Sequence, residues 1–280
     1  MRLCTYISDG QSRPGLVTDS GIVDLASRMG HDSLRALIAA GDISKAAQFA
    51  SETADHALDD VVLAPVIPDP DKIYCIGLNY LDHVEETGNV ETPNPTVFAR
   101  YPASQVGHNA PLIKPLESDK FDYEGELALI IGKEGRRISE ADALSHVAGY
   151  ACYNEGSVRD YQRHTAQYLP GKTFFGTGGF GPWMVTADEI PDPSALHLQT
   201  RVNGQVLQDT DLTLMINSVP KLIAYCSIML PLLPGDVIVT GTPGGVGSRR
   251  TPPIWLRDGD VVEIDISGIG VLRNPVAAET

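Results

Sequence analysis

The sequence predicts an α+β protein, mostly β, in which a small N-terminal α+β unit precedes a larger domain of short strands with few helices. Three observations predict it. Glycine and proline are abundant, 27 and 20 among 280 residues, which favours many short elements joined by turns. From Lys72 onward, β-rich segments bounded by turns outnumber helical ones. The regular strand–helix alternation of a doubly wound parallel sheet is missing. A chain of this length holds one or two domains, because a single core seldom grows beyond ~250–300 residues.

The first unit spans residues 1–70. Leu3–Ser8 and Gly15–Asp24 read as short strands around Asp9-Gly10. Asp32–Ala40 has helical periodicity and stops at Gly41. Ile43–Asp60 reads as a second helix. The stretch from Ala64 to Pro70 has too many prolines for a helix or an inner strand and reads as a linker. The second domain spans residues 71–280. Its strands are Lys72–Gly77, Thr96–Arg100, Glu124–Ile131, Trp183–Thr186, Leu196–Val202, Val237–Thr240 and Val261–Ile266. Asn203-Gly204 is a two-residue hairpin signal joining Leu196–Val202 to Gln205–Gln208. Helices are expected over Tyr80–Glu86, ending at Gly88, from Glu140–Ala143 behind Ser139 as N-cap, and over Val219–Ser227.

Charge and composition exclude several classes of function. Acidic residues outnumber basic ones, 36 to 21, for a net charge of −15. That field repels a phosphate backbone, so no nucleic-acid partner is expected. No apolar run approaches the ~20 residues of a membrane span, and Met1–Gly10 lacks the pattern of a signal peptide. Cys4, Cys75, Cys152 and Cys226 form no C-x-x-C pair, which argues against a zinc knuckle or redox dithiol. A reducing, cytoplasmic location is expected.

Chemistry concentrates in a few segments. Phe121-Asp122-Tyr123-Glu124-Gly125-Glu126 runs into Leu127-Ala128-Leu129-Ile130-Ile131. On a strand, Asp122, Glu124 and Glu126 share one face, and Tyr123, Leu127, Leu129 and Ile131 the other. Carboxylates entering a core need a compensating cation. Oxygen ligands suit a hard divalent ion, Mg²⁺ or Mn²⁺ before zinc. The alternative is an edge strand with a solvated acidic face.

Asn79 can cap the helix that carries His83 and Glu86, which stand i and i+3 on one face. A Glu that holds a His raises its basicity and suits it to take a proton from water; the alternative is a solvated His beside a chance acid. Lys172, between Gly171 and Phe174, either points into a buried site or lies in a surface turn. Val239–Gly247 is a strand leading into a Gly-rich loop. It lacks the Gly-Lys-Ser/Thr of a P-loop but can offer backbone N–H groups to an anion. The polar stretch Tyr161–Pro170, with Gln162, Arg163, His164, Gln167 and Tyr168, either faces a hydroxylated substrate tail or is a solvated loop.

In order and spacing, these segments resemble the fumarylacetoacetate hydrolase family, which also holds acylpyruvases, oxaloacetate decarboxylases, and hydratases and isomerases of 2-oxo acids. The matching stretches are Ile76–Tyr80 with His83 and Glu86, Asp122–Ala128, Ser157-x-Arg159-Asp160-x-Gln162, Gly171-Lys172, and Gly235–Ile238 with Thr240–Pro243. The resemblance implies a mixed β-roll or β-sandwich catalytic domain and a homodimer. It implies Mg²⁺ or Mn²⁺ held by Glu124, Glu126 and a third carboxylate. That third position falls on Glu155, where the family pattern N-D-x-S-x-R-D has Asp. Gly156 follows, where the family usually has a larger residue.

The resemblance also implies a 2-oxo carboxylate substrate that chelates the metal. His83, oriented by Glu86, would deprotonate a water that attacks the distal carbonyl of a 2,4-dioxo acid, possessing either a plain acyl or a sugar-acid tail, to give pyruvate and a second acid. Lys172 would stabilise negative oxygen and Gln162 would position substrate or water. Arg100, where relatives often have Lys, and the backbone near Thr242 would hold a substrate carboxylate. The Tyr80–Gly88 helix would close over the site, with Gly77 as hinge. The expected reaction is therefore hydrolysis of a carbon–carbon bond. The alternatives are a decarboxylase, tautomerase or hydratase of a similar acid, which needs no attack of water on a distal carbonyl, and an inactive metal-binding scaffold.

Overall fold

The computed structural model describes residues 1–88 and 92–280. Among these residues eleven strands form one large sheet. Nine lie in the order Gly21–Asp24, Gln11–Thr18, Arg2–Ser8, Gly178–Thr186, Val147–Glu155, Gly125–Ile131, Val237–Val239, Ile73–Gly77, Thr96–Ala99. Val62–Leu63 and Gln105–Val106 attach beside this path. A second sheet has five strands: Gln205–Asp211, His197–Val202, Val261–Ile266, Gly270–Ala278 and Leu112–Lys114.

The central strand Gly125–Ile131 is buried on both faces. Leu127, Leu129 and Ile131 share an apolar cluster with Leu198, Ile264 and Leu272 of the second sheet. Ala128 and Ile130 share another with Leu34, Leu37 and Ile38 of the helix Leu34–Ala39. A strand covered on both sides reads as an uninterrupted apolar run, as Leu127–Ile131 does. The architecture is thus helix, sheet and sheet in layers, mostly β.

Arg2–Ser8 pairs antiparallel with Gly178–Thr186, Arg2 opposite Val185 and Leu3 opposite Met184. The main sheet therefore runs across the boundary drawn at residue 70. The linker residues Val66 and Ile67 are buried, and Thr5 donates its hydroxyl to Val66 O at 2.8 Å.

Several elements differ from expectation. Gly15–Asp24 is not one strand: Gln11–Thr18 and Gly21–Asp24 pair across a turn. Ile43–Asp60 is not one helix: 3₁₀ turns span Ile43–Phe49 and Leu58–Asp60. Between them Asp55 N–H donates to Ile22 O at 2.9 Å and Ile22 N–H to His56 O at 2.8 Å. Those bonds hold residues 55 and 56 as a sheet extension and forbid a continuing helix. The helix expected from Glu140 is a 3₁₀ turn over Ala143–His146, although Ser139 Oγ accepts Asp142 N–H at 3.2 Å.

Strand directions gather the motifs. Gly125 lies opposite Asn154, so the start of one strand meets the end of the next. Val237–Val239 runs antiparallel to Gly125–Ile131 and parallel to Ile73–Gly77. Glu124–Glu126, Glu155, the loop after Val239 and the segment after Gly77 consequently emerge at one end of the sheet.

Candidate active site

At that end Glu124, Glu126 and Glu155 are buried, with ligand oxygens all within 4.8 Å of one another. Backbone pairing sets the approach: Glu155 N–H donates to Glu124 O at 2.8 Å, and Asn154 Oδ1 accepts Glu124 N–H at 3.0 Å. The edge-strand alternative is excluded, because Gly125–Ile131 is an inner strand and wholly buried.

Asp122 departs from the shared acidic face. The strand breaks between Asp122 and Gly125. Asp122 then accepts Arg159 Nε at 2.7 Å and the N–H groups of Gly247 and Ser248 at 2.8 and 2.9 Å. It anchors the Gly-rich loop.

Two buried cations answer the three glutamates. Lys172 Nζ donates to Glu124 Oε2 and, at 2.7 Å, to Glu155 Oε2. Arg159 Nη1 lies 2.6 Å from Glu124 Oε1. Lys172 is therefore no surface-turn residue. Glu126 Oε2 accepts Gly241 N–H at 2.5 Å. Gly241 has φ of +100°, a region that glycine enters freely, and this turns its N–H toward the carboxylate. Glu126 Oε1 and Glu155 Oε1 stay buried without a hydrogen-bond partner. Buried orphan carboxylate oxygens are costly. A hard divalent cation with oxygen ligands would satisfy both, so the donor set fits Mg²⁺ or Mn²⁺.

The environment drives the three carboxyls apart. At Glu124 burial acts upward, but Arg159 and Lys172 outweigh it and hold the group far below the usual carboxylate range. At Glu126 burial, reinforced by Glu155 and Glu124, pushes the group well above it. Glu155 is raised by burial against the pull of Lys172. Burial acts downward on Lys172, but Glu124 and Glu155 outweigh it, so the ammonium is raised and stays charged.

His83 and Glu86 lie on the helix Leu81–Thr87. His83 Nδ1 is 3.5 Å from Glu86 Oε2 and makes no hydrogen bond. Both Glu86 oxygens instead accept Gly245 N–H at 3.1 Å. Asp82 Oδ2 accepts Gly244 N–H at 3.0 Å, and Arg249 Nη2 donates to Thr87 O at 3.0 Å. The helix is latched onto the Gly-rich loop. Asn79 does not cap it. Its amide is buried, donating to Thr240 O at 2.7 Å and Asn217 O at 3.1 Å, and the cap position is Tyr80.

A cavity of about 240 Å³ is lined by His83, the three glutamates, Lys172 and Thr242, with Gln162, Arg163 and Arg249 also facing it. Gln162 Oε1 accepts Arg159 Nη1 at 3.0 Å. Thr242 Oγ1 donates to Gly125 O at 3.0 Å and accepts Gln208 Nε2 at 2.8 Å.

Arg100 does not reach this cavity. It is buried, donating to Ser104 Oγ at 3.2 Å, Gly156 O at 3.0 Å and Thr177 Oγ1 at 2.8 Å. It fixes the backbone after Glu155, which removes it from contact with a substrate carboxylate. A Cβ on Gly156 would lie 2.0 Å from Thr177 O, so this position has room only for glycine. Arg159 and Asp122 are residues of the site whose contacts the motifs contained without revealing them. The available signal was charge: three buried acids require more than one cation.

The comparisons agree with this geometry. Residues 72–277 match the family model described as Fumarylacetoacetate (FAA) hydrolase C-terminal. The oxaloacetate tautomerase fahd2, mitochondrial, of Xenopus laevis is 43% identical over 239 residues, 81% of this chain and 75% of the relative. Oxaloacetate tautomerase YisK of Bacillus subtilis (strain 168) is 43% identical over 226 residues, 79% of this chain and 75% of the relative. Among solved structures, fumarylacetoacetate hydrolase from Exiguobacterium antarcticum superimposes with a TM-score of 0.86 at 35% identity, covering 100% of both chains. Maleylpyruvate hydrolase from Sphingobium sp. SYK-6, in complex with manganese(II) and pyruvate, gives 0.85 at 28%, again covering 100% of both chains. On the family match, the sequence identity and the shared fold, the chain belongs to the fumarylacetoacetate hydrolase family.

Proposed function

We propose that the protein is a divalent-metal-dependent tautomerase that interconverts the enol and keto forms of an oxaloacetate-type 2-oxo acid. The observation that carries this reading over hydrolysis is the placement of Glu86. Both its oxygens are held by Gly245 N–H, and His83 Nδ1 lies 3.5 Å away without a hydrogen bond. Hydrolysis calls for a His polarised strongly enough to activate water. Tautomerisation asks only for a group that carries one proton at C3 and for stabilisation of negative charge on the 2-oxo oxygen. The curated relatives at 43% identity are oxaloacetate tautomerases, which supports the same choice.

Mg²⁺ or Mn²⁺, held by Glu124, Glu126 and Glu155, would supply Lewis acidity that lowers the cost of negative charge on that oxygen. Lys172, charged and preorganised between two carboxylates, adds electrostatic stabilisation from the same wall. His83 takes the proton from C3 of the keto form while the 2-oxo oxygen gains one, from the imidazolium or by exchange with solvent, to give the enol; in reverse the enol hydroxyl gives up its proton as His83 delivers one to C3. Gln162, held by Arg159, and the backbone beside Thr242 orient the substrate's 1-carboxylate. The helix Leu81–Thr87, latched to the Gly-rich loop, keeps bulk water from the reacting carbons.

The test follows the enol absorbance of oxaloacetate with the Mg²⁺-loaded protein. Decay above the buffer rate, without release of CO₂, is the expected result. Pyruvate plus a second acid from an acylpyruvate at a higher kcat/KM would install hydrolysis in its place, and CO₂ from oxaloacetate would install decarboxylation.

A further inference from the structure

We propose that Arg163 and Arg249 read a second carboxylate at the far end of the substrate, so that the site selects a short 2-oxo dicarboxylate over a 2-oxo monocarboxylate. This rests on the 2-oxo acid reading above and adds the residues that set its specificity.

The cations that line the cavity fall into two sets. Lys172 and Arg159 are buried and paired with Glu124, Glu155 and Asp122, only Arg159 Nη2 lacking a partner among the described residues. Arg163 and Arg249 also face the cavity, but both are exposed and stand on different segments. Arg163 follows the short helix Arg159–Gln162, and Arg249 ends the turn Gly247–Arg249. Neither guanidinium has an acidic partner among the described residues. Arg163 makes no side-chain hydrogen bond there either, and Arg249 donates one nitrogen to Thr87 O at 3.0 Å.

Physical chemistry then assigns the ends. The glutamate triad with its cation is the place for the 2-oxo carboxylate head. Guanidinium groups suit the far carboxylate, because their planar fork matches it. The chain's net charge of −15 repels a dianion at long range, so local arginines must supply the attraction. At about 240 Å³ the cavity is smaller than the ~300–1,000 Å³ of drug-sized sites, which suits a short diacid and disfavours an aryl or long alkyl tail. Arg249 adds a coupling. Its guanidinium already holds the last residue of the lid helix, so a carboxylate bound to it also braces the closed lid.

The experiment is calorimetric and needs no turnover. The Mg²⁺-loaded protein, R163Q and R249Q are each titrated with malate and with lactate, which differ by the distal carboxylate. The parent is expected to favour malate. Each variant is expected to lower the malate-to-lactate affinity ratio by about tenfold, as loss of one charge-assisted contact implies. Because the ratio is taken within one protein, a general loss of folding cancels. An unchanged ratio in both variants, or a parent without preference, overturns the proposal. Failure of the oxaloacetate assay with the malate preference intact would remove the tautomerase reading and leave the dicarboxylate site standing.

Discussion

Lys172 Nζ stands 2.7 Å from Glu155 Oε2 while also donating to Glu124 Oε2, so one ammonium bridges two of the three carboxylates. Glu155 reaches it from a backbone that cannot move forward. Arg100 Nη1 holds Gly156 O at 3.0 Å, and a Cβ at Gly156 would meet Thr177 O at 2.0 Å. A side chain shorter by one methylene would fall short of both Lys172 and a cation. Glu155→Asp is therefore expected to weaken Mg²⁺ binding at least about tenfold, the lower end of what even the loss of a ligand's supporting contact costs, and Glu155→Ala to weaken it further. Calorimetric Mg²⁺ titration of the three proteins reads this. Asp binding as tightly as Glu would show that the site is not built around the longer residue.

The raised carboxyl of Glu126 gives metal binding a pH dependence of known sign. Burial, Glu155 and Glu124 hold its proton above the ordinary value of 4.5, so the metal-free fold binds a proton there that the unfolded chain releases. Stability from this group is present at low pH and is lost as pH rises through the raised value. A divalent cation removes that loss by neutralising the carboxylate. The rise in Tm caused by saturating Mg²⁺ should accordingly grow as pH rises above about 5, and binding should release protons. Thermal shift across pH, with calorimetry in buffers of different ionisation enthalpy, measures both. A pH-independent Tm gain without proton release would contradict the assignment.

The sequence made part of this site legible. Glu124 and Glu126 could be singled out because alternate carboxylates running into Leu127–Ile131 have no ordinary explanation inside a core. Glu155 required the family pattern, since nothing local marks it, and the local signals at Lys172 and Gln162 left a surface turn and a solvated loop open until that pattern gave them roles. Asp122 shows where periodicity stops: its two-residue spacing from Glu124 places both on one face, but the strand breaks at Tyr123 and Asp122 turns to Gly247 and Ser248. Arg100 shows a limit of the resemblance instead: it was expected to hold a substrate carboxylate, but its partners Gly156 and Thr177, 56 and 77 residues away, turn it into the backbone. The pairing of Arg2–Ser8 with Gly178–Thr186 is equally non-local, and neither strand carries a sign of it.

On the proposed function, His83→Ala is expected to abolish tautomerisation while Mg²⁺ affinity stays near the parent's, because His83 lines the cavity but lies outside the carboxylate triad. Glu86→Gln keeps an oxygen that can accept Gly245 N–H, so a loss of only about twofold to fivefold is expected, short of the ~10² that a general-base partner contributes. Glu86→Ala removes one of the three contacts that latch the helix and should raise KM more than it lowers kcat. Steady-state kinetics on oxaloacetate separate these cases. A Glu86→Gln loss matching that of His83→Ala would restore a polarising role to Glu86 and with it the case for hydrolysis.

Asp122→Asn should damage the protein away from the metal. The carboxylate is buried, accepts two loop N–H groups and pairs with Arg159 at 2.7 Å. Asparagine keeps one acceptor oxygen but places an NH₂ group against donors, and the buried Arg159 would lose one of its two anionic partners. Breaking one side of a buried pair costs about 3–5 kcal/mol, and the remaining contact of Arg159 with Glu124 at 2.6 Å offsets part of it. A loss of about 3 kcal/mol in urea-induced unfolding is therefore expected. Because Gly247 and Ser248 belong to the loop segment that also receives the helix Leu81–Thr87, Asp122→Asn should loosen that helix as well, seen as faster amide exchange over it. A loss below about 1 kcal/mol, in the range of a surface pair, with unchanged exchange would mean that the loop holds its shape without Asp122.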